Sequence, residues 1–215
     1  MKGKFELIVF DLDGTLVDSD AVVMNAFNYA LQPYGQKVDF VGLEKIRSRS
    51  PQEVFEGFVP KDEWKNAFGR LASYSEANLI GTPAFPGIKE ILEKLRKKNV
   101  KIALWTGRDL ESAKKILRAN AIDGYFTCTV GGCMVSKNKP YPDGLSLVAE
   151  QLLVSPEKII VVGDHVHDME GTKKFGSLFV GASWSRPVGN NFDLGQTDFI
   201  FHTVDDFGVW LESVF

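Results

Sequence analysis

The stretch VFDLDGTLVDSD, residues 9–20, constrains this chain more than any other. Asp11, Asp13, Asp18 and Asp20 bring four carboxylates into ten positions, directly behind an apolar run. Carboxylates repel one another, and their charge is costly where a strand leaves a core. A divalent cation together with a phosphate group resolves that conflict, so the stretch points to a metal-assisted phosphate site.

Periodicity supplies the scaffold. Residues 5–10 (FELIVF) read as a buried strand, and DLDGT after them as a turn. From Asp20 the spacing of Val23, Phe27, Ala30 and Leu31 is helical, with Ser19 or Asp18 available as cap. SPQE at 50–53 is a capping box with proline at the first helical position, and a further helix is expected over 62–79. GTPAFPG at 81–87 breaks the helical run and reads as a hinge. Beyond it helices and strands alternate: helix 88–98, strand 101–105, helix 110–119, strand 127–130, helix 144–153 and strand 158–162, with weaker strands at 178–180 and 198–201. Apolar strands alternating with helices are the signature of a parallel sheet covered on both faces. The expected fold is α/β, a doubly wound Rossmann-like core (1–16 and 84–215) with an all-helical domain inserted at 17–83.

Composition removes several function classes. A net charge of −3 and a pI near 5.7 leave no nucleic-acid footprint. Cys128 and Cys133 are four residues apart with no histidine or third cysteine nearby, a poor zinc pattern that reads as two free thiols in a reducing compartment. The N-terminal apolar run breaks at Asp11, and neither a signal peptide nor a spanning helix is visible, so a cytoplasmic protein with no membrane partner is expected.

Four polar clusters each follow an expected strand: Asp11 and Asp13; Thr106, Gly107 and Arg108; Lys139 and Pro140; Asp164 and Asp168. Ligands in open parallel sheets bind outside the carboxyl ends of the strands, so these clusters should converge. Asp11, Asp13 and Asp164 offer the hard oxygen ligands that suit Mg²⁺. Thr106 offers a hydroxyl, Lys139 a cation, and backbone N–H groups around Gly14 and Gly107 a phosphate cradle. Metal, lysine and donors together stabilise a transferring phosphoryl group, leaving one carboxylate to attack phosphorus and a second to protonate the leaving oxygen.

With these motifs in order, the sequence resembles the haloacid dehalogenase-like superfamily. DLDGT at 11–15, TGR at 106–108, KPYPDG at 139–144 and GDHVHD at 163–168 match its four motifs, and the helical insert follows the first as in the phosphoglycolate phosphatase and β-phosphoglucomutase-like branch. The resemblance implies Asp11 as nucleophile, Asp13 as general acid and then base, Thr106 on a phosphate oxygen, and Lys139 neutralising the phosphate and Asp11. It implies Mg²⁺ held by Asp11, the Asp13 backbone carbonyl and Asp164, with Asp168 as a further or alternative ligand. Gly14, Thr15, Gly107 and Arg108 belong to the same substrate-binding set, although Arg108 can face phosphate or solvent. Arg47 and Arg49 precede the SPQE helix; Arg49 is the candidate for reaching an anionic substrate from the inserted domain, and simple solvent exposure is the alternative.

Plainer readings stand beside these. Asp164 taken alone would be a helix cap, His165 and His167 surface residues or neighbours of the metal, His202 structural, and KLRKK at 94–98 a solvated helix end. The aromatic residues of the insert read as core. The expected function is a Mg²⁺-dependent phosphatase acting on a small phosphorylated metabolite. A sugar-phosphate mutase is the first alternative, disfavoured by GD where such mutases carry Glu-Asp. A dehalogenase is disfavoured by Asp13, and an inactive binding module by the complete set of catalytic positions.

Overall fold

The computed structural model describes residues 4–39, 42–43, 51–185 and 197–215. Within them the chain divides into two compact units, one running to Asp18 and resuming at Pro83–Phe215, the other Ser19–Thr82.

The larger unit is built on a parallel sheet of six strands in the order β3-β2-β1-β4-β5-β6. These are β1 (Leu7–Phe10), β2 (Lys101–Trp105), β3 (Cys128–Val130), β4 (Ile159–Gly163), β5 (Leu178–Ala182) and β6 (Phe199–Phe201). Every pairing is parallel, and the central register sets Phe10 level with Leu104 on one side and Val162 on the other. The apolar strand sequences follow from this position. Successive side chains point to opposite faces, and both faces are covered. Leu7 and Val9 pack with Ala103, Trp105 and Val161 against Leu145 and Val148 of the helix Asp143–Leu152. Phe10, on the opposite face, meets Phe207 of the helix Val204–Val214 edge-on, ring centres 6.2 Å apart.

The helices between strands carry the expected apolar stripes. Ile88–Lys97 buries Ile88, Ile91, Leu92 and Leu95 and ends in Lys94, Arg96 and Lys97, which suit the negative end of its dipole. Lys94 reaches Glu212 at 2.7 Å and Arg96 lies over the Tyr125 ring, so this charge run is a solvated helix end. Leu110–Ala119 is capped by Asp109, whose carboxylate accepts the Ser112 N–H.

Among the described residues the smaller unit carries the helices Asp20–Leu31, Pro51–Glu56 and Trp64–Asn78, with short 3₁₀ turns. Its core joins Phe27, Leu31, Val54, Phe55 and Ala67. The expectation that its aromatic residues are all core is corrected in part, since Tyr29, Phe58 and Phe68 are exposed. Arg70 covers the Tyr29 ring at 4.2 Å and donates to the Tyr29 carbonyl. The first helix also differs from expectation at its start. Ser19 occupies the cap position in a helical conformation and its side chain makes no capping bond, so helix entry there rests on packing. Ser50, the cap expected for the second helix, lies outside the described residues. No helix among the described residues is long and apolar enough to cross a membrane.

Phe207 is fully buried and also packs on Trp184 and Phe201. Truncating such a ring leaves a cavity beneath β1. Phe207→Ala should therefore cost about 3–5 kcal/mol in urea unfolding. A loss below about 1 kcal/mol would show that this helix does not hold the β1 face.

Candidate active site

The strand order reverses beside β1: the chain proceeds from β1 to β2 and β3 on one side, then crosses to β4, β5 and β6 on the other. That switch point is where open α/β sheets leave a crevice at the carboxyl ends of their strands. Asp11 is the first residue beyond β1, and its N–H donates to the Val162 carbonyl of β4 at 2.8 Å. Thr106 is the first residue beyond β2, held by an N–H bond to the Val130 carbonyl of β3 at 3.0 Å. Asp164 is the first residue beyond β4. The strands thus deliver side chains from three distant parts of the sequence to one edge of the sheet.

Carboxylate oxygens of Asp11, Asp164 and Asp168 lie within 4.8 Å of one another, and all three residues are buried. Lys139 enters this cluster from the loop after β3. Its ammonium donates to Asp11 Oδ1 at 2.6 Å and lies 2.6 Å from Asp168 Oδ1. The indole face of Trp105 covers the same ammonium, 4.5 Å from the ring centre. Burial pushes the Asp11 carboxyl up to about 7, helped by the charges of Asp168 and Asp13 and opposed by Lys139. Lys139 moves up from its ordinary value because Asp11 and Asp168 outweigh its own desolvation. The ammonium is therefore permanently charged, while Asp11 is held close to its protonation point until more positive charge arrives.

Asp13 meets a different cation. Arg108 grips it through Nε at 2.6 Å to Oδ2 and Nη2 at 2.7 Å to Oδ1, a two-pronged pair of full charges. The Arg108 N–H also donates to Thr106 Oγ1 at 3.2 Å, tying the loop together.

A family profile described as haloacid dehalogenase-like hydrolase matches residues 8–182. The chain belongs to this family. The phosphoglycolate phosphatase of Escherichia coli K12 is 29% identical, with 93% of this chain and 89% of that protein covered. Pyrophosphatase PpaX of Listeria monocytogenes serotype 4a is 26% identical, with 96% of each covered. The solved haloacid dehalogenase-like family protein SP0104 of Streptococcus pneumoniae superposes with a TM-score of 0.83 at 25% identity, over 97% of this chain and 99% of that one. This haloacid dehalogenase-like hydrolase is thus similar along nearly its whole length to enzymes named as phosphatases.

The structure also says what the other motif residues do in this hydrolase. Gly14 does not contribute to an anion cradle through its N–H, which donates to the Val17 carbonyl at 2.9 Å. Its value is space. It sits at φ +75°, and a Cβ built there would lie 2.1 Å from Asp164 Oδ2. Thr15 is fully buried; its carbonyl takes the Trp184 indole N–H, and its hydroxyl has no hydrogen-bond partner among the described residues. Gly107 is exposed in the turn after Thr106, which is itself buried. Lys137 turns its ammonium to the Tyr141 ring, away from the part taken by Lys139. Arg47 and Arg49 lie outside the described residues. The plain reading of Asp164 as a helix cap is corrected, because His165 caps the helix Val166–Phe175: its Nδ1 accepts the His167 N–H, and Asp168 Oδ2 accepts the His165 N–H at 3.0 Å. Asp168 therefore fixes the helix start and faces Lys139 at once. His202 bonds Ser183 Oγ at 3.0 Å, a structural contact. Sequence reasoning missed Trp105 as the platform beneath Lys139 and Arg108 as the partner of Asp13; the signal for both was their place at the end of β2, beside β1.

The Asp11 shift has a definite sign. Its carboxyl rises from 3.8 to about 7 on folding, so between those values the folded chain binds more protons than the unfolded one. Stability of the metal-free protein should fall as pH climbs through this window, with a slope of up to about 1.4 kcal/mol per pH unit from this group. The Lys139 shift acts only above its ordinary value and does not contribute here. Urea unfolding in chelator should show that slope in wild type and not in Asp11→Asn; equal slopes would contradict the placement of Asp11.

Proposed function

We propose that this chain is a Mg²⁺-dependent phosphatase that releases inorganic phosphate from a small phosphorylated metabolite through a phosphoryl group carried briefly on Asp11. The observation that carries the reading is the buried set Asp11, Asp164, Asp168 and Lys139 at the switch point of the sheet. The two curated phosphatases of similar length support the reaction class. Phosphoglycolate and pyrophosphate are the substrate candidates those names suggest.

The donor set fits magnesium. Carboxylate oxygens packed within 4.8 Å are hard ligands of the kind this ion takes from proteins. Asp11 and Asp164 would hold it, with the Asp13 carbonyl, and Asp168 beside them. The ion would neutralise charge on the phosphoryl oxygens and keep Asp11 ionised.

The residues then divide the work. An Asp11 carboxylate oxygen attacks phosphorus, the bond from phosphorus to the bridging oxygen breaks, and Asp13 gives that oxygen its proton. In the second half Asp13 takes a proton from water as the water oxygen attacks phosphorus. The bond to Asp11 then breaks, leaving free phosphate and a restored carboxylate. Lys139 balances charge on Asp11 and on the transferring group throughout. The Thr106 hydroxyl accepts from Arg108 and keeps its own proton to donate to a phosphoryl oxygen. The inserted segment 17–83 is assigned the family role of a cap that selects small substrates and keeps out water.

Two measurements test this reading. Phosphate release from phosphoglycolate and pyrophosphate should require Mg²⁺ and stop in EDTA, and Asp11→Asn should lower kcat by at least about a thousandfold. Activity that survives chelation, or an Asn variant at wild-type rate, would overturn it. Gly14→Ala should weaken the Mg²⁺ dependence, raising the half-activating concentration roughly tenfold or more, because the new methyl displaces Asp164. An unchanged Mg²⁺ requirement would remove Asp164 from the metal set.

A further inference from the structure

The grip of Arg108 on Asp13 poses a chemical problem. Asp13 is the group placed to protonate the leaving oxygen, yet it is engaged by both prongs of a guanidinium. The pair is partly shielded from water, with side-chain exposures of 21% for Arg108 and 32% for Asp13. Arg108 is not a surface charge that drifted onto the nearest anion. Its backbone N–H is fixed to Thr106, and its loop is anchored by the Gly132 N–H bond to the Arg108 carbonyl at 2.7 Å. A partly buried, permanently charged fork on an anchored loop is suited to hold a planar anion.

The position says which anion. A general acid stands at hydrogen-bond distance from the oxygen it protonates. The guanidinium stands one further hydrogen bond away, so it lies within roughly 6 Å of the bridging oxygen, on the leaving-group side. An acidic group two or three bonds beyond that oxygen reaches it. A plain alkyl or aryl group offers nothing to bind.

We propose that Arg108 is a specificity residue for a second anion: it exchanges Asp13 for a carboxylate or phosphoryl group that the substrate carries two or three bonds beyond the bridging oxygen. Binding such a substrate then does two things at once. The substrate's own charge occupies the fork, and Asp13 is released to face the bridging oxygen. A substrate without the second anion leaves the ion pair in place and reacts slowly. This rests on the phosphatase reading and narrows it to compact leaving groups that carry an anionic group of their own. The terminal phosphoryl oxygens of pyrophosphate lie two bonds beyond the bridge, and the carboxylate oxygens of phosphoglycolate three.

The test is a pair of substrates of matched size. Phosphoglycolate and ethyl phosphate differ only in the carboxylate, and pyrophosphate supplies the phosphoryl version. kcat/KM is measured for all three in wild type, Arg108→Ala, Arg108→Gln and Arg108→Lys with saturating Mg²⁺. Wild type should favour phosphoglycolate over ethyl phosphate by at least thirtyfold. Loss of the guanidinium in the Ala and Gln variants should shrink that ratio at least tenfold, and lysine should restore part of it. The same collapse for pyrophosphate would assign the site to phosphoryl and carboxylate alike; a collapse for one alone fixes which anion it takes. A wild-type ratio near one, or a ratio that survives in both Ala and Gln while all rates fall together, overturns the proposal, since a purely structural arginine would lower every substrate equally. Wild type inert on all three substrates would sink the phosphatase reading and this inference with it, an outcome distinct from activity without discrimination.

Discussion

The site depends on a single buried ammonium. Lys139 lies 2.6 Å from both Asp11 and Asp168, with the face of Trp105 behind it. Two charges this close attract strongly wherever water is scarce, yet taking them out of water costs several kcal/mol per ion. The arrangement persists only because every partner is delivered by a rigid element. Asp11 is fixed by the end of β1, Asp168 by the first turn of a helix whose start it helps to cap, and Trp105 by the end of β2. Removing Lys139 would leave the Asp11 and Asp168 carboxylates buried without this cation.

The sheet order explains why such a cluster forms from parts so far apart. β1 is flanked by β2 and β4, so the residues just beyond these three strands are neighbours. Charges at that edge sort into two centres. One is the buried cluster of Asp11 with Asp164, Asp168 and Lys139. The other is the ion pair of Asp13 with Arg108. Two carboxylates two residues apart thereby acquire different partners and different surroundings, the condition under which neighbouring acids can take different protonation roles.

Much of this was legible in the sequence. Strand 101–105 and helix 110–119 fall where apolar periodicity puts them, because both are long, regular and bounded by turn residues. The place of Asp11, Thr106 and Asp164 just beyond their strands was readable from the strand ends, whereas the choice of Lys139 rested on the family resemblance of the PYPDG that follows it. Other features depended on tertiary placement. The Asp13–Arg108 pair joins residues 95 positions apart, and nothing local in TGR says that its arginine turns to the next strand's loop. Gly14 resembles a cradle donor in sequence, but its N–H closes the turn and its missing side chain makes room for Asp164. Ser19 has the composition of a cap and the wrong backbone conformation for one. The helix Val204–Val214 is not among the elements expected from sequence, although Thr203 caps it and Phe207, Leu211 and Val214 follow the helical period; the short strand before it masks the change of pattern.

Asp11 is the group proposed to take the phosphoryl from substrate. The most direct measurement is rapid acid quench of the wild-type protein during turnover of phosphoglycolate with Mg²⁺, followed by peptide mass mapping. One phosphoryl group is expected on the peptide containing Asp11, labile in mild base and gone once substrate is exhausted. Turnover with no phosphorylated peptide at any quench time, or with the group on a different residue, would contradict it.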